Sequence, residues 1–207
     1  MKSVITIGRE YGCGGREIAK ALAEELHVPC YDRELILLAA EKSGLSHEVL
    51  EKVDETASNS FLYAVSTGSY GYGGVELPLN DKLFLAQSEV IRSLANEGPC
   101  VIVGRCADAV LEDRDNVASI FLWASMEYRV QTVMQRLQVN EKKATEAINK
   151  RDKKRASYYN FYTQKVWGKR DSYRFCIDRT GMEVSACAHL LAQLVQTWED
   201  CYTHQSE

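Results

Sequence analysis

What the chain lacks narrows the field first. No apolar run is long enough to span a bilayer, and the amino-terminal residues carry no signal-peptide pattern, so the expectation is a cytoplasmic protein without a membrane partner. The seven cysteines are odd in number and scattered, with no C-x-x-C spacing. They read as reduced thiols, several of them core or strand fillers, with Cys13 the candidate for exposure. No internal repeat or low-complexity boundary divides the 207 residues. One domain over 1–207 is therefore expected, with a core of about 1–138 and 172–207 and a small lid of about 139–171.

An extended positive face is also missing. The net charge is −4, yet between Lys150 and Arg179 ten basic residues face three acidic ones, a local +7 that leaves −11 for the rest. An acidic body with one basic arm argues against nucleic acid as a partner and suits a local grip on a small polyanion. Hydrophobic content of 45% with 26% charged residues is enough for a packed globular core.

Close to the amino terminus an apolar run (Val4, Ile5, Ile7) feeds Gly8-Arg9-Glu10-Tyr11-Gly12-Cys13-Gly14-Gly15-Arg16-Glu17. A helical pattern follows, with Ile18, Ala19, Leu22, Ala23 and Leu26 on one face. Strand, glycine loop and helix form a layout that cradles phosphate, because glycines let backbone N–H groups approach an anion and the helix start adds partial positive charge. The loop departs from G-x-x-x-x-G-K-[ST], since Arg16 and Glu17 stand where lysine and a hydroxyl are expected. Arg16 is the candidate replacement for the lysine charge. The magnesium ligand stays unassigned, with Glu17 the candidate, and an ordinary strand-to-helix turn stays open as the alternative.

Along the chain the spacing predicts strands over Lys2–Ile7, Val28–Tyr31, Cys100–Gly104, Ala118–Trp123 and Arg174–Asp178. Helical patterns lie between them: Arg16–Leu26, a helix capped by Asp32 through Leu35 and Ala40, and one capped by Ser46. Further helices open at Asn80-Asp81, span Met126–Leu137, start from an Asn140 cap, and close the chain from Val184 to Trp198. Residues 58–79 show no period and read as a long surface loop. This alternation predicts an α/β fold: a five-stranded parallel sheet with helices on both faces. Arg105 and Asp108 follow the apolar run Cys100–Gly104, at a carboxyl end where open α/β sheets place ligands. Arg151 and Arg155, four apart, share a helix face and could grip one phosphate from two sides, or form a solvated charge run. The aromatic cluster Tyr158, Tyr159, Phe161, Tyr162 and Trp167 reads as packing.

Four stretches carry a family resemblance: the glycine loop Gly8–Glu17, Tyr31-Asp32-Arg33-Glu34, Val103-Gly104-Arg105-Cys106-Ala107-Asp108, and Tyr158–Gly168. Together they resemble the cytidylate-kinase-like proteins of the P-loop nucleoside-monophosphate kinase group. That resemblance implies a P-loop nucleoside triphosphate hydrolase type of sheet with the first strand central, a helical lid, and transfer of a phosphoryl group from ATP, with Mg2+, to CMP or dCMP. By position it places Arg9 to Glu17 around the ATP phosphates and Asp32, Arg33, Arg105 and Asp108 at the acceptor. It assigns Arg16, Arg129, Arg151 and Arg155 to the transferring group, and Asp178 to Thr180 to the adenine end. A kinase for another small acceptor and a non-catalytic nucleotide sensor remain as alternatives, because the loop lacks lysine and a hydroxyl. Oligomeric state is not legible.

Overall fold

The structure, a computed structural model, describes residues 2–32 and 79–203. Arg33, the Leu35–Ala40 helix, the Ser46 cap and the 58–79 loop lie outside the described residues, save Leu79, which opens a helix. In chain order the elements are β1 (Val4–Arg9), α1 (Gly15–Leu26), β2 (Cys30–Tyr31), α2 (Leu79–Glu97), β3 (Val101–Val103) and α3 (Ala107–Val110). Next come β4 (Val117–Trp123), α4 (Met126–Leu137), α5 (Glu141–Thr163), a 3-10 turn (Arg170–Ser172), β5 (Phe175–Asp178) and α6 (Val184–Thr203).

The five strands form one sheet in the order β2-β3-β1-β4-β5, every neighbouring pair parallel. β1 is central: Ile5, Thr6 and Ile7 pair with Val101, Ile102 and Val103 on one side, and Ile5 and Ile7 pair with Ala118 and Ile120 on the other. The two-residue period of a strand then sorts its side chains. Ile5 and Ile7 bury against Ile18 and Leu22 of α1 and Leu191 and Val195 of α6. Val4 and Ile102 bury on the opposite face with Ile91 of α2 and Leu111. Each fully buried Ile or Leu contributes about 1.5–3 kcal/mol. Helices thus cover both faces, as the alternating pattern predicts.

β1 runs two residues beyond its predicted end, so Arg9 is a strand residue rather than a loop residue. The extension is held by pairing of Gly8 with Phe121 and Arg9 with Leu122. The predicted strand over Val28–Tyr31 shortens to its last two residues.

Helices α4 and α5 start on side-chain caps: Ser125 Oγ accepts from Tyr128 N at 3.2 Å, and Asn140 Oδ1 accepts from Lys143 N at 3.0 Å. Two smaller clusters fasten this hairpin to the sheet. Tyr11 packs with Val130, Val133, Ala144 and Ile148, while Phe121, Tyr159 and Tyr173 pack with Tyr158, Tyr162 and Trp167. The aromatic run is therefore a packing segment, as its composition suggests. Among the described residues no helix is long and apolar enough to cross a membrane.

Candidate active site

The carboxyl ends of β1 and β3 and the start of α1 converge on one place. Gly14, with φ +73°, takes the left-handed turn that feeds α1, and no side chain caps the helix, so its first N–H groups have no intrahelical partner. Cys13 faces inward. It is fully buried, its Sγ donates to the Leu122 carbonyl at 3.6 Å, and burial pushes its thiol up to about 11. Exposure was the wrong expectation for Cys13, because the turn tucks it under β4 and so fixes the loop to the sheet.

Arg9 leaves the end of β1 and lies across the sheet. A side chain at Gly104, itself at φ +75°, would collide with Arg9 Nη1, and a Cβ at Gly15 would stand 2.8 Å from Arg9 Cβ. Both positions need glycine for Arg9 to lie there. Burial, with repulsion from Arg155 and Arg105, lowers the Arg9 guanidinium to about 9. Arg105 and Arg155 are lowered too, mainly by burial. Arg155 Nη1 donates to the Arg9 carbonyl at 2.9 Å. Among the described residues no carboxylate stands within 4.0 Å of the Arg9, Arg105 or Arg155 guanidinium. Three half-buried guanidiniums, with Arg105 and Arg155 both repelling Arg9, stand beside a helix start, a setting that favours an anion.

The turn after β3 is wound left-handed over three successive residues: Gly104 at +75°, Arg105 at +59° and Cys106 at +57°. For the two non-glycine residues this conformation costs on the order of 1–3 kcal/mol each. Asp108, which follows on α3, accepts from Tyr159 Oη at 2.6 Å, and burial raises its carboxyl above the usual range.

The remaining expected residues separate into groups. Arg16 is half exposed and pairs with Asp32 at 2.6 Å, while Glu17 is exposed on the first turn of α1. Arg129 is turned into the protein, with Asp152 at 2.6 Å and Glu10 at 3.3 Å. Asp152 also accepts from Tyr11 N at 2.7 Å, which ties α5 to the loop. Arg151 lies 4.5 Å from the centre of the Tyr11 ring, which Arg136 also flanks at 4.7 Å. Arg155 stands 5.7 Å from the same ring. At the far side, Thr180 Oγ1 donates to Asp178 and accepts from Ser125 N at 2.8 Å.

Two contributors had no role of their own in the sequence reading, Arg179 falling only within the Asp178–Thr180 stretch. Arg179 is buried, contacts Tyr128 Oη, stands near the Gly14 turn, and leaves its Nε without a partner. Gln87 is buried on α2, also with an unpartnered nitrogen. The usable signal for Gln87 was a lone polar residue within the stripe Leu83, Val90, Ile91, Leu94.

A parallel sheet of this order, with a glycine turn joining its central strand to a helix, defines a P-loop kinase-type α/β fold. Solved structures share it: a gluconokinase from Sinorhizobium meliloti 1021 (14% identity, TM-score 0.59, 100% of this chain and 98% of that one) and a shikimate kinase from Bacteroides thetaiotaomicron (14%, 0.55, 95% and 99%). An uncharacterized protein from Eubacterium ventriosum ATCC 27560 is more similar, at 29% identity and TM-score 0.70 over 94% of this chain and 99% of that one. The chain belongs to the cytidylate kinase-like family, whose model matches residues 4–181. No curated protein matches it.

Proposed function

We propose that the protein transfers the γ-phosphoryl group of ATP to a small phosphorylated acceptor, a nucleoside monophosphate of the CMP or dCMP kind. The observation that carries this reading is the set of half-buried guanidiniums of Arg9, Arg105 and Arg155, without carboxylate partners among the described residues, beside the uncapped start of α1. Phosphoryl transfer asks chiefly for two anionic substrates held in line and for charge that spreads over the phosphoryl oxygens to be neutralised. Arginine suits both tasks, because it stays charged near neutral pH and binds phosphate oxygens in pairs.

On this reading the Gly12–Arg16 turn and the first N–H groups of α1 hold the ATP phosphates. Arg9 and Arg155 flank the transferring group, and Arg105 holds the acceptor phosphate. The pairing of Arg16 with Asp32 supports a positioning role for Arg16 and gives the lysine's task to Arg9. Arg129 supports the loop through Glu10 and Asp152. Helices α4 and α5 act as the lid, which excludes water that would otherwise accept the phosphoryl group. The fold implies Mg2+, which takes one or two protein carboxylates together with phosphate oxygens. Asp32, buried at the end of β2, fits that need better than exposed Glu17, and the ion would neutralise phosphate charge.

The test is ATP consumption with magnesium across CMP, dCMP, UMP, AMP and GMP, with shikimate and gluconate as hydroxyl acceptors. Turnover is expected with a pyrimidine monophosphate and should be lost in Arg9→Met. Turnover with a hydroxyl acceptor alone overturns the acceptor class. Nucleotide binding without product favours the sensor reading, which the missing lysine and hydroxyl after Gly15 support.

A further inference from the structure

Gln87 occupies a position where leucine would fill the space. It is 1% exposed on the buried stripe of α2, between Leu83 and Val90, and its Nε2 has no hydrogen-bond partner among the described residues. A buried donor left unpaired destabilises the fold, so its presence calls for an explanation.

The neighbours of Gln87 fix which half of its carboxamide is free. Tyr158 on α5 lies beside Arg105, and its Oη stands 3.4 Å from Gln87 Oε1. A carboxamide oxygen only accepts, so the Tyr158 proton goes to Gln87 Oε1. Nε2 is left as the unused donor. Gln87, Tyr158 and Arg105 therefore form one row from α2 through α5 to the strained turn after β3. Flat rings flank the row: Phe84 stacks on Tyr162 with centroids 4.2 Å apart and meets Tyr158 edge-on at 6.4 Å.

We propose that Gln87 is a specificity-determining residue, whose Nε2 donates to a ring nitrogen or carbonyl oxygen of a heterocycle while Arg105 holds the phosphate of the same acceptor. This rests on the phosphoryl-transfer reading and deepens it. An anionic oxygen in this site is drawn to the guanidiniums, which leaves a neutral donor to match a neutral acceptor atom. The surrounding rings suit a flat heterocycle. A polyol would bring several hydroxyl groups that aromatic neighbours do not satisfy.

The experiment compares CMP with ribose 5-phosphate, which carries the sugar and phosphate but no base. Calorimetric titration of the wild-type protein should show tighter binding of CMP. Gln87→Leu should weaken CMP by about tenfold or more and leave ribose 5-phosphate unchanged. Equal losses for both ligands, or no loss for CMP, overturn the assignment while leaving the phosphate site intact. If neither ligand binds the wild-type protein, the phosphoryl-transfer reading fails and takes this assignment with it. Should Leu unfold the chain, Gln87→Met carries the same comparison.

Discussion

Arg129 shows how a charged side chain can hold a site together without entering its chemistry. Its buried guanidinium meets Asp152 at 2.6 Å and Glu10 at 3.3 Å, and Asp152 in turn receives the N–H of Tyr11. Removing one member of such a group leaves the others buried without their counter-charge. Arg129→Met is therefore expected to destabilise the protein by about 3–5 kcal/mol, read from the shift of its urea unfolding midpoint. A shift worth less than about 1 kcal/mol would mean that solvent already screens the group. Sequence placed Arg129 off the apolar face of α4 and, by resemblance, beside the transferring group. It could not show the inward turn, because the deciding partner Asp152 comes 23 residues later on another helix. Arg105 was legible by position, following an apolar run that reads as a buried strand. Its left-handed backbone was not, since no residue preference announces φ +59° at an arginine.

At the scale of elements, α5 divides its arginines between two tasks. Arg155 reaches the Arg9 carbonyl at 2.9 Å and is half-buried, whereas Arg151 lies exposed against the Tyr11 ring. Under the phosphoryl-transfer reading, Arg155→Ala should lower turnover by roughly a hundredfold, and Arg151→Ala by less than tenfold. Steady-state rates on the two single variants check this, and equal losses would restore the two-sided clamp that the i, i+4 spacing suggested. The caps of α5 and the span of α4 were readable because they depend on neighbours within a few residues, as with Asn140 and Lys143 N. The contact of α5 with Tyr11 was not, since an exposed run of Lys and Arg usually faces only water.

For the whole molecule, the excess charge of the basic stretch is not simply spread over the surface. Part of it turns inward: Arg155 reaches the Arg9 carbonyl and, with Arg105, repels the Arg9 guanidinium. An anion that binds there relieves the repulsion only in the folded state. ATP at about a hundred times its Kd should stabilise the protein by about 2.7 kcal/mol, seen as a rise in Tm. Arg9→Met should raise the melting temperature without nucleotide and remove most of the rise with it. Unchanged melting of the wild-type protein in millimolar ATP would contradict the anion site. The parallel sheet was legible from alternating strand and helix patterns, whereas the strand order depends on contacts that no local pattern encodes. That order has a consequence for synthesis. β1 is made well before its two partners, Val101–Val103 and Val117–Trp123. A nascent chain must therefore carry the nucleotide turn unshaped while those later strands are still being made, and long-range pairing of this kind is slow. The turn is thus translated early and becomes competent late.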